Sequence, residues 1–433
     1  MQLNIARGIA SKITGGIRSV KGFGVFNLNF LTLSDTHGNT GTFTRAGAAN
    51  VPDWQGVLQS IPVDKQRVNR GRWDGTQWLS DDGAGNPLHP IGTINGESTY
   101  LDLTDYATGQ TVLAGGRRAY GGRYYSTVLG GTTAGASPLV DTGVTDWVDA
   151  GRYQPGYGQL LEAATTNLFA LPLAPATQTI TLPAIGDYTL SVGDTGDTGT
   201  MAIAAGTASI TGAATASVGT DVTINCTVVG TVVCTKAGTL TRAQLEAGLV
   251  STTFVNGIRQ NELGNLKFPT TSGWAGANAF PHSAGSLLFS GSPQHDLSQH
   301  GNTNNDIFEL GGVFTFFFHR LGAGLGASDS ATGLFLTQST AYLRNQSVQY
   351  GVEWDDGVKS GTGISQFRVG YRVASTGMSW VWSMYKTYDG AFADTGFLQF
   401  FANTVGALPW SVRNTIIHNK ALTTQEWDNY VIS

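Results

Sequence analysis

The segment QFRVGYRV, residues 366–373, alternates apolar residues with polar or small ones at the period of a β-strand. The positions that share one face of this strand are Phe367, Val369, Tyr371 and Val373. A strand with one apolar face predicts a sheet that covers a core on one side. SWVWSMY at 379–385 repeats the alternation, and we expect its Trp380 and Trp382 to lie in that core.

The amino-acid composition indicates that the whole chain, like this segment, is rich in β-strands and turns. Charged residues make up 13% of the 433 positions, and glycine accounts for 59 of them, about twice its ordinary share. So few charges argue against a mostly helical fold, and 41% hydrophobic with 10% aromatic residues argue against disorder. The net charge of −5 gives no reason to expect nucleic acid as a partner. No run approaches the roughly 18 apolar residues of a membrane-spanning helix.

Four regions differ in pattern. Residues 1–34 are a basic arm, and residues 35–170 are aromatic, Gly-rich and irregular, with a small inserted module at about 97–152. Residues 171–256 lose most aromatics and consist of short alternating strands between turns, which predicts a β-sandwich. Residues 257–433 regain aromatics and predict a jelly roll. The predicted fold class is all-β, with tandem sandwich or jelly-roll modules behind a short anchoring arm.

The N-terminal arm carries four cations before its first carboxylate, Asp35. Isoleucines recur every four residues and would line one side of a helix, although glycines weaken that helix. A segment that lies on a membrane surface is one interpretation. We favour a docking segment that orders against a partner protein. Its predicted docking residues are Ile5, Arg7, Ile9, Lys12, Ile13, Ile17 and Arg18.

Two cysteines, Cys226 and Cys234, bracket the segment TVVGTVV. If Val229–Thr231 form a hairpin loop, the two side chains face each other and a disulfide is geometrically open. Two cysteines in 433 residues are no disulfide framework, so we favour two small buried hydrophobic residues.

The sequence patterns do not indicate a catalytic or metal-binding site. Glu353, Asp355 and Asp356 in VEWDDG are the best carboxylate cluster, but WDDG is typical of a turn. Asp194 and Asp197 in GDTGDTG could hold calcium, but a plain hairpin loop is the favoured interpretation. The histidines lack zinc-site spacing, and no nucleophile-elbow motif is present. We therefore predict no catalytic residues, no metal and no cofactor.

Three motifs in order carry a resemblance. They are TFTRAGAAN at 42–50, GQLLEAATTNLFA at 158–170 and RAQLEAGLVSTTFV at 242–255. This chain resembles tailed-bacteriophage virion proteins, that is, tail-fibre, head-fibre and minor structural proteins, in which such motifs frame a carbohydrate-binding-like β-sandwich. The matching residues are Phe43, Thr44, Arg45, Leu160, Leu161, Glu162, Thr166, Asn167, Leu168, Gln244, Leu245, Glu246 and Gly248.

Two further segments resemble known modules. The inserted segment at about 97–152 is similar to a small module of phage tail proteins and, more distantly, to chitin-binding modules. NTIIHNKALTTQEW at 414–427 is similar to the last strand and short helix of concanavalin-A-like (laminin-G-like) jelly rolls. Thr423 and Glu426 in this segment form a capping box, which predicts a helix start.

Aromatic rings are the candidates for stacking on the apolar CH faces of sugars. In the inserted module these are Tyr124, Tyr125 and Trp147, and in the C-terminal region Trp354, which we expect in a turn. An alternative for Tyr124 and Trp147 stays open, because a module this small has little else from which to build a core.

The resemblance implies a non-enzymatic virion protein, assembled in the host cytoplasm, whose arm docks onto other virion proteins. Its β-modules would project outward and bind host-surface glycans. Phage fibres are usually homotrimers, although no heptad repeat here supports a particular oligomer. Two alternatives stay open: a capsid decoration or tail-assembly protein with no receptor role, and a polysaccharide depolymerase, whose usual repetitive β-helix this sequence lacks.

Overall fold

The computed structural model describes most of the chain between residues 25 and 428. The described residues are 25–35, 40–94, 97–100, 103–154, 156–194, 196–212, 214–260, 262, 266–269, 284–296, 299, 306–310, 314–320, 324–329, 336–338, 342–355, 366–373, 379–387, 397–400 and 409–428. Their regular elements are almost all strands, which confirms the all-β prediction. In these ranges no helix has the length and apolar character needed to cross a membrane.

The C-terminal region is a sandwich of two antiparallel sheets. One sheet contains strands Val25–Asn29, Ser34–Asp35, Arg67–Asn69, Gly158–Leu161, Ala284–Pro293, Val348–Asp355, Gln366–Val373, Val381–Trp382, Lys386–Thr387 and Trp410–His418. The other contains Thr42–Phe43, Leu266–Pro269, Asp306–Leu310, Phe314–Arg320, Gly324–Asp329, Leu336–Gln338 and Phe397–Phe400. Residues of both sheets share one core, in which Phe30 contacts the Phe400 ring edge to face at 5.3 Å.

The end of the predicted arm, from residue 25 onward, belongs to the C-terminal sandwich. Val25–Asn29 pairs with Trp410–His418 in the C-terminal sheet, and Leu28 and Phe30 are buried in its core. The alternation of VFNLNF was a strand signal, and the long separation along the chain hid its partner. Gly158–Leu161 pairs with the other half of the same C-terminal strand, so segments from residues 25–161 complete the sandwich.

Residues 178–247 form a separate sandwich, called here the middle sandwich. One of its sheets contains Gln178–Leu182, Thr200–Ala205, Thr215–Ser217 and Gly230–Ala237; the other contains Gly186–Val192, Ser209–Gly212, Val222–Val228 and Ala243–Ala247. The consecutive strands that carry Cys226 and Cys234 therefore belong to different sheets, so the hairpin on which a disulfide would depend does not form. Both thiols are free and buried in the core, as the favoured interpretation predicted.

Short antiparallel sheets fill the rest of residues 49–152. The paired strands are Ala49–Pro52 with Leu58–Ile61, Arg72–Trp73 with Trp78–Leu79, Ile91–Ile94 with Glu97–Tyr100, Thr111–Val112 with Gly131–Thr132, and Arg117–Tyr120 with Arg123–Ser126 and Val148–Arg152. Thr165–Thr166 pairs with Ile258–Arg259 beside the middle sandwich. The inserted module has its own small core around Leu103, Ala119, Tyr124 and Tyr153.

A buried ion network joins these regions. Arg67 donates to both Glu162 and Glu262, and its Nη2–Oε2 distance to Glu162 is 2.7 Å. Arg45 pairs with Glu262 at 2.7 Å, and Arg259 pairs with Glu162 at 3.1 Å. All five side chains are at most 2% exposed. Burial would raise the pKa of Glu162, but the charges of Arg259 and Arg67 lower it to about 2.

Two of these five residues belong to the recognised motifs. Arg45 is the last residue of FTR, and Glu162 ends LLE. A neighbouring motif residue, Glu246, accepts hydrogen bonds from Thr165, Gln244 and Thr252. The three motifs therefore meet in space as one polar core between the modules, which explains their residue types.

The outer face of the C-terminal sheet carries a tryptophan cluster. Trp380 and Trp382 stack with centroids 5.1 Å apart, and both contact the buried Trp427 of the helix Thr424–Asp428. Trp382 lies flat on Gly370, where a Cβ would come within 2.5 Å of the ring. Both stacked rings are half-buried, so they lie against a second, outer cluster instead of in the sandwich core as expected.

The helix itself begins as predicted. Glu426 donates its backbone N–H to Thr423 Oγ1 at 3.2 Å, and Glu426 Oε2 accepts the Thr423 backbone N–H at 2.8 Å.

His418 makes the stability of the protein depend on pH. Burial lowers the pKa of His418 to about 4; Glu426 raises it in part, and Lys420 lowers it further. The unfolded chain takes up this proton near its ordinary pKa of 6.5, before the folded protein does. The contribution of His418 to stability is therefore fully present above pH 6.5 and falls by about 3 kcal/mol as the pH drops to 4.

Urea denaturation across this pH range measures the effect. We expect His418→Gln to flatten the loss of stability between about pH 6.5 and pH 4. A variant with the same pH slope as the wild type would contradict the assignment to His418.

Candidate ligand-binding cleft

The predicted stacking tyrosines are core residues of the inserted module. Tyr124 and Tyr125 lie on the strand Arg123–Ser126 and are 7% and 5% exposed. Tyr124 packs with Leu103 and Tyr153, as the alternative from module size predicted. A ring this enclosed offers no free face to a sugar, so both residues are removed from the candidate site.

The two predicted tryptophans differ in burial: Trp354 is buried, and Trp147 is half-buried. Trp354 lies in the strand Val348–Asp355, not in a turn, and is 3% exposed. Its indole lies over Gly285, where a Cβ would come within 2.2 Å, so it is a core residue. Trp147 is half-buried, and its Nε1 donates to Asp141 Oδ2 at 2.9 Å. Its ring also contacts Tyr106 edge to face, which ties it into the module.

The remaining sequence candidates either lie outside the described residues or have a structural role. All seven predicted docking residues, between Ile5 and Arg18, lie outside the described residues, as does Asp356. The Glu353 carboxylate accepts hydrogen bonds from Tyr385, Arg368 and Trp427, and so serves the tryptophan cluster.

The GDTGDTG loop behaves as a plain turn. The Asp197 carboxylate accepts the Thr241 backbone N–H at 2.7 Å and its hydroxyl at 2.8 Å, which closes the loop. Within the described ranges no group of three His, Cys, Asp or Glu side chains could hold a metal ion.

A cleft of about 480 Å³ opens where the N-terminal region, the middle sandwich and the C-terminal sandwich meet. We call it the junction cleft. Its volume lies in the usual range of small-molecule sites, about 300–1,000 Å³. The lining residues that define it are Asn69 and Arg70 from the first region, Asp221, Arg242 and Phe254 from the second, and Gln294, Arg344 and Asn345 from the third.

Each region contributes one arginine to the junction cleft. Arg242 precedes the strand Ala243–Ala247; its Nε donates to Gly193 O at 2.8 Å, and its guanidinium lies over the Phe254 ring at 5.5 Å. Arg344 precedes the strand Val348–Asp355 and is 47% exposed. It pairs loosely with Asp221 at 3.6 Å.

The third arginine, Arg70, makes no direct ion pair in the part of the chain that the structure describes. It follows the strand Arg67–Asn69 and is half-buried. Its guanidinium makes no hydrogen bond or ion pair with any described residue. Asp53 is the acid whose charge acts on Arg70, and its carboxylate accepts hydrogen bonds from the backbone N–H groups of Gln55 and Val57. Burial lowers the pKa of Arg70, although Asp53 partly offsets this.

Backbone strain is also concentrated here. Four described non-glycine residues have left-handed φ angles, and two of them line the junction cleft: Arg70 at +61° and Asn345 at +63°. Such conformations are uncommon for an arginine and persist where the surroundings enforce them. The backbone therefore holds both side chains at the cleft.

One polar group beside the arginines can bond a ligand's hydroxyls: the side-chain amide of Asn345, which is exposed at the rim. On the middle-sandwich side, the Thr252 hydroxyl and backbone N–H donate to Glu246, and the Thr253 backbone N–H donates to Glu162. A second cavity of about 410 Å³ shares Leu58 and Phe254 with the junction cleft, and its lining includes exposed Leu173 and Ile258.

Sequence reasoning missed this cleft. Its three arginines lie in VNRGR, LTRAQLE and YLRNQ, which share no spacing, and they come together only when three modules pack. The one local signal is Arg242, which directly precedes the QLE motif.

Comparisons with known proteins add no functional assignment. No protein-family model matches the chain, and no curated protein matches it. Among solved structures, the receptor binding domain of botulinum neurotoxin mosaic serotype C/D is similar at 10% identity and a TM-score of 0.27, covering 38% of this chain and 39% of that one. The botulinum neurotoxin serotype D ligand binding domain in complex with N-acetylneuraminic acid is similar at 12% identity and a TM-score of 0.28, and the match covers 42% of this chain and 43% of that one.

A bifunctional GH43-CE protein of Bacteroides eggerthii shows 9% identity and a TM-score of 0.21, and covers 88% of this chain and 60% of that one. This chain spans less than half of either neurotoxin domain. Scores of this size do not bear on function.

Proposed function

We propose that this protein is a non-enzymatic glycan-binding component of a bacteriophage virion, attached to the tail or the head, and that the junction cleft is its binding site. The observation that carries the binding role is Arg70, a half-buried guanidinium at the wall of the junction cleft that makes no ion pair or hydrogen bond with a described residue. A pocket with convergent polar groups is the physical signature of a ligand site.

The lining suits a saccharide. Sugars present hydroxyls that bond amides, and the exposed Asn345 places a side-chain amide beside Arg344. Sugars also present apolar CH faces, and exposed Leu173 and Ile258 in the adjoining cavity beyond Phe254 offer a surface for them. One ligand can thus use both cavities.

The virion assignment is supported by the motif resemblance. The motif residues Arg45, Glu162 and Glu246 are buried and interlocked, so the resemblance concerns a defined structural unit and not scattered identities. Attachment through the N-terminal arm to other virion proteins, and assembly as a homo-oligomer, remain part of the same proposal.

A second candidate function is capsid decoration or tail assembly without a receptor role. The inserted module favours it, because it exposes a set of large apolar side chains that would suit contact with neighbouring proteins. Those residues are Leu113, Val128, Leu129, Leu139, Val140 and Val148, each at least 58% exposed.

Glycan-array binding of the full chain distinguishes the two. We expect binding to a subset of bacterial surface glycans, which Arg242→Ala reduces at least tenfold, about 1.4 kcal/mol. Arg123→Ala is the matched control, since its arginine forms an exposed ion pair with Asp149 far from the cleft lining. No glycan binding by the wild type, together with many copies on the capsid by immunogold labelling, would leave only the structural role.

A further inference from the structure

The charge of the junction cleft restricts which glycans it accepts. We infer that it selects acidic saccharides, those carrying a carboxylate or phosphodiester, and that Arg70 binds the anionic group. This inference rests on the proposed glycan-binding function and narrows it to a chemical class.

The cleft reverses the charge of the protein. The whole chain has a net charge of −5, whereas the described charged residues that line the cleft are three arginines and one aspartate. That aspartate, Asp221, is already engaged, because it accepts the Ser251 hydroxyl and faces Arg344 at 3.6 Å. Arg242 pairs with Asp194 at 3.3 Å. Among the described residues, Arg70 is therefore the cleft arginine whose charge is available to a ligand.

Arg70 contrasts with the structural arginines of the same molecule. Arg45, Arg67 and Arg259 are fully buried, and each is satisfied by a glutamate and by backbone carbonyl groups. A structural arginine that is removed from water needs such partners, because a guanidinium stays charged at any physiological pH. Arg70 has none among the described residues, although burial lowers its pKa. An anionic group of a ligand would pair directly with Arg70, which Asp53 influences only electrostatically.

The chemistry of the guanidinium decides the class of that group. Its planar fork of N–H donors matches the two oxygens of a carboxylate or phosphate, and charge-assisted bonds of this kind are about twice as strong as neutral ones. A neutral sugar hydroxyl accepts one hydrogen bond and leaves the charge unpaired. Arg242 lies over Phe254, is bonded to Gly193 and pairs with Asp194 at 3.3 Å, so we assign the anion to Arg70.

The test uses the full-length chain and an array on which each carboxylate-bearing glycan is printed beside its carboxyl-reduced form, with glycerol-phosphate polymers as a further arm. We expect at least tenfold stronger binding to acidic than to reduced glycans. Arg70→Gln should abolish this preference while weak binding to the reduced forms persists. Arg123→Gln is the control and should keep the wild-type preference.

The outcomes separate the two proposals. Binding of acidic and reduced glycans with equal strength overturns the acidic preference but leaves glycan binding intact. An unchanged preference in Arg70→Gln likewise overturns the role of Arg70. Binding only to glycerol phosphate supports the inference with phosphate as the anion. No binding to any glycan overturns both this inference and the proposed function.

Discussion

Replacing Glu262 with glutamine is expected to destabilise the protein by about 3–5 kcal/mol, the range for breaking a buried ion pair from one side. Glu262 is fully buried and is the shared partner of Arg45 and Arg67. Without its charge, two buried guanidinium groups must share the single carboxylate of Glu162 with Arg259. Urea denaturation of the purified chain at neutral pH measures the change.

A matched surface substitution calibrates this prediction. Asp149 pairs with Arg123 at the surface, where the two side chains are 40% and 34% exposed. Asp149→Asn should therefore cost less than about 1 kcal/mol. If Glu262→Gln costs no more than Asp149→Asn, the network does not hold the modules together and this part of the account is wrong.

Asn167→Ala is expected to cost more than about 3 kcal/mol. The side chain is buried and makes four hydrogen bonds, donating to the carbonyl groups of Ala243 and Val255 and accepting the backbone N–H groups of Phe169 and Leu245. Alanine leaves these backbone groups without partners away from water, and each such loss costs about 1–3 kcal/mol.

A second asparagine of the same sandwich serves as the control for this substitution. Asn225 makes one side-chain bond, to Asp187 at 2.8 Å, and is half-buried. Its replacement by alanine should cost about 1 kcal/mol. Equal losses of stability in the two variants, measured by urea denaturation, would contradict the role given to the motif asparagine.

Short-range patterns were sufficient for the fold class. The alternation at 366–373 predicted its buried face correctly, and the capping box at Thr423 predicted the start of the helix. Both depend on residues close in sequence. The pairing of Val25–Asn29 with Trp410–His418 joins opposite ends of the described chain, and nothing local in the sequence indicates that partner.

The candidate site was less predictable for a physical reason. We chose the aromatic candidates by residue type, but the residue type does not determine how deeply a side chain is buried. Tyr124 and Trp354 fill cores. Trp382 is half-buried on the outer face of the sheet, where Gly370 leaves room for its ring. The junction cleft depends on how three modules pack. That packing depends on the buried network, of which only Arg45 and Glu162 lie in the motifs, and neither motif indicates the partners of these residues.

A crystal structure of the full-length chain with the tightest-binding acidic glycan from the array tests the central claim most directly. The account predicts that the anionic group of the glycan lies within hydrogen-bond distance of the Arg70 guanidinium, with sugar hydroxyls bonded at Asn345. A glycan bound elsewhere, with the junction cleft unoccupied, would contradict it.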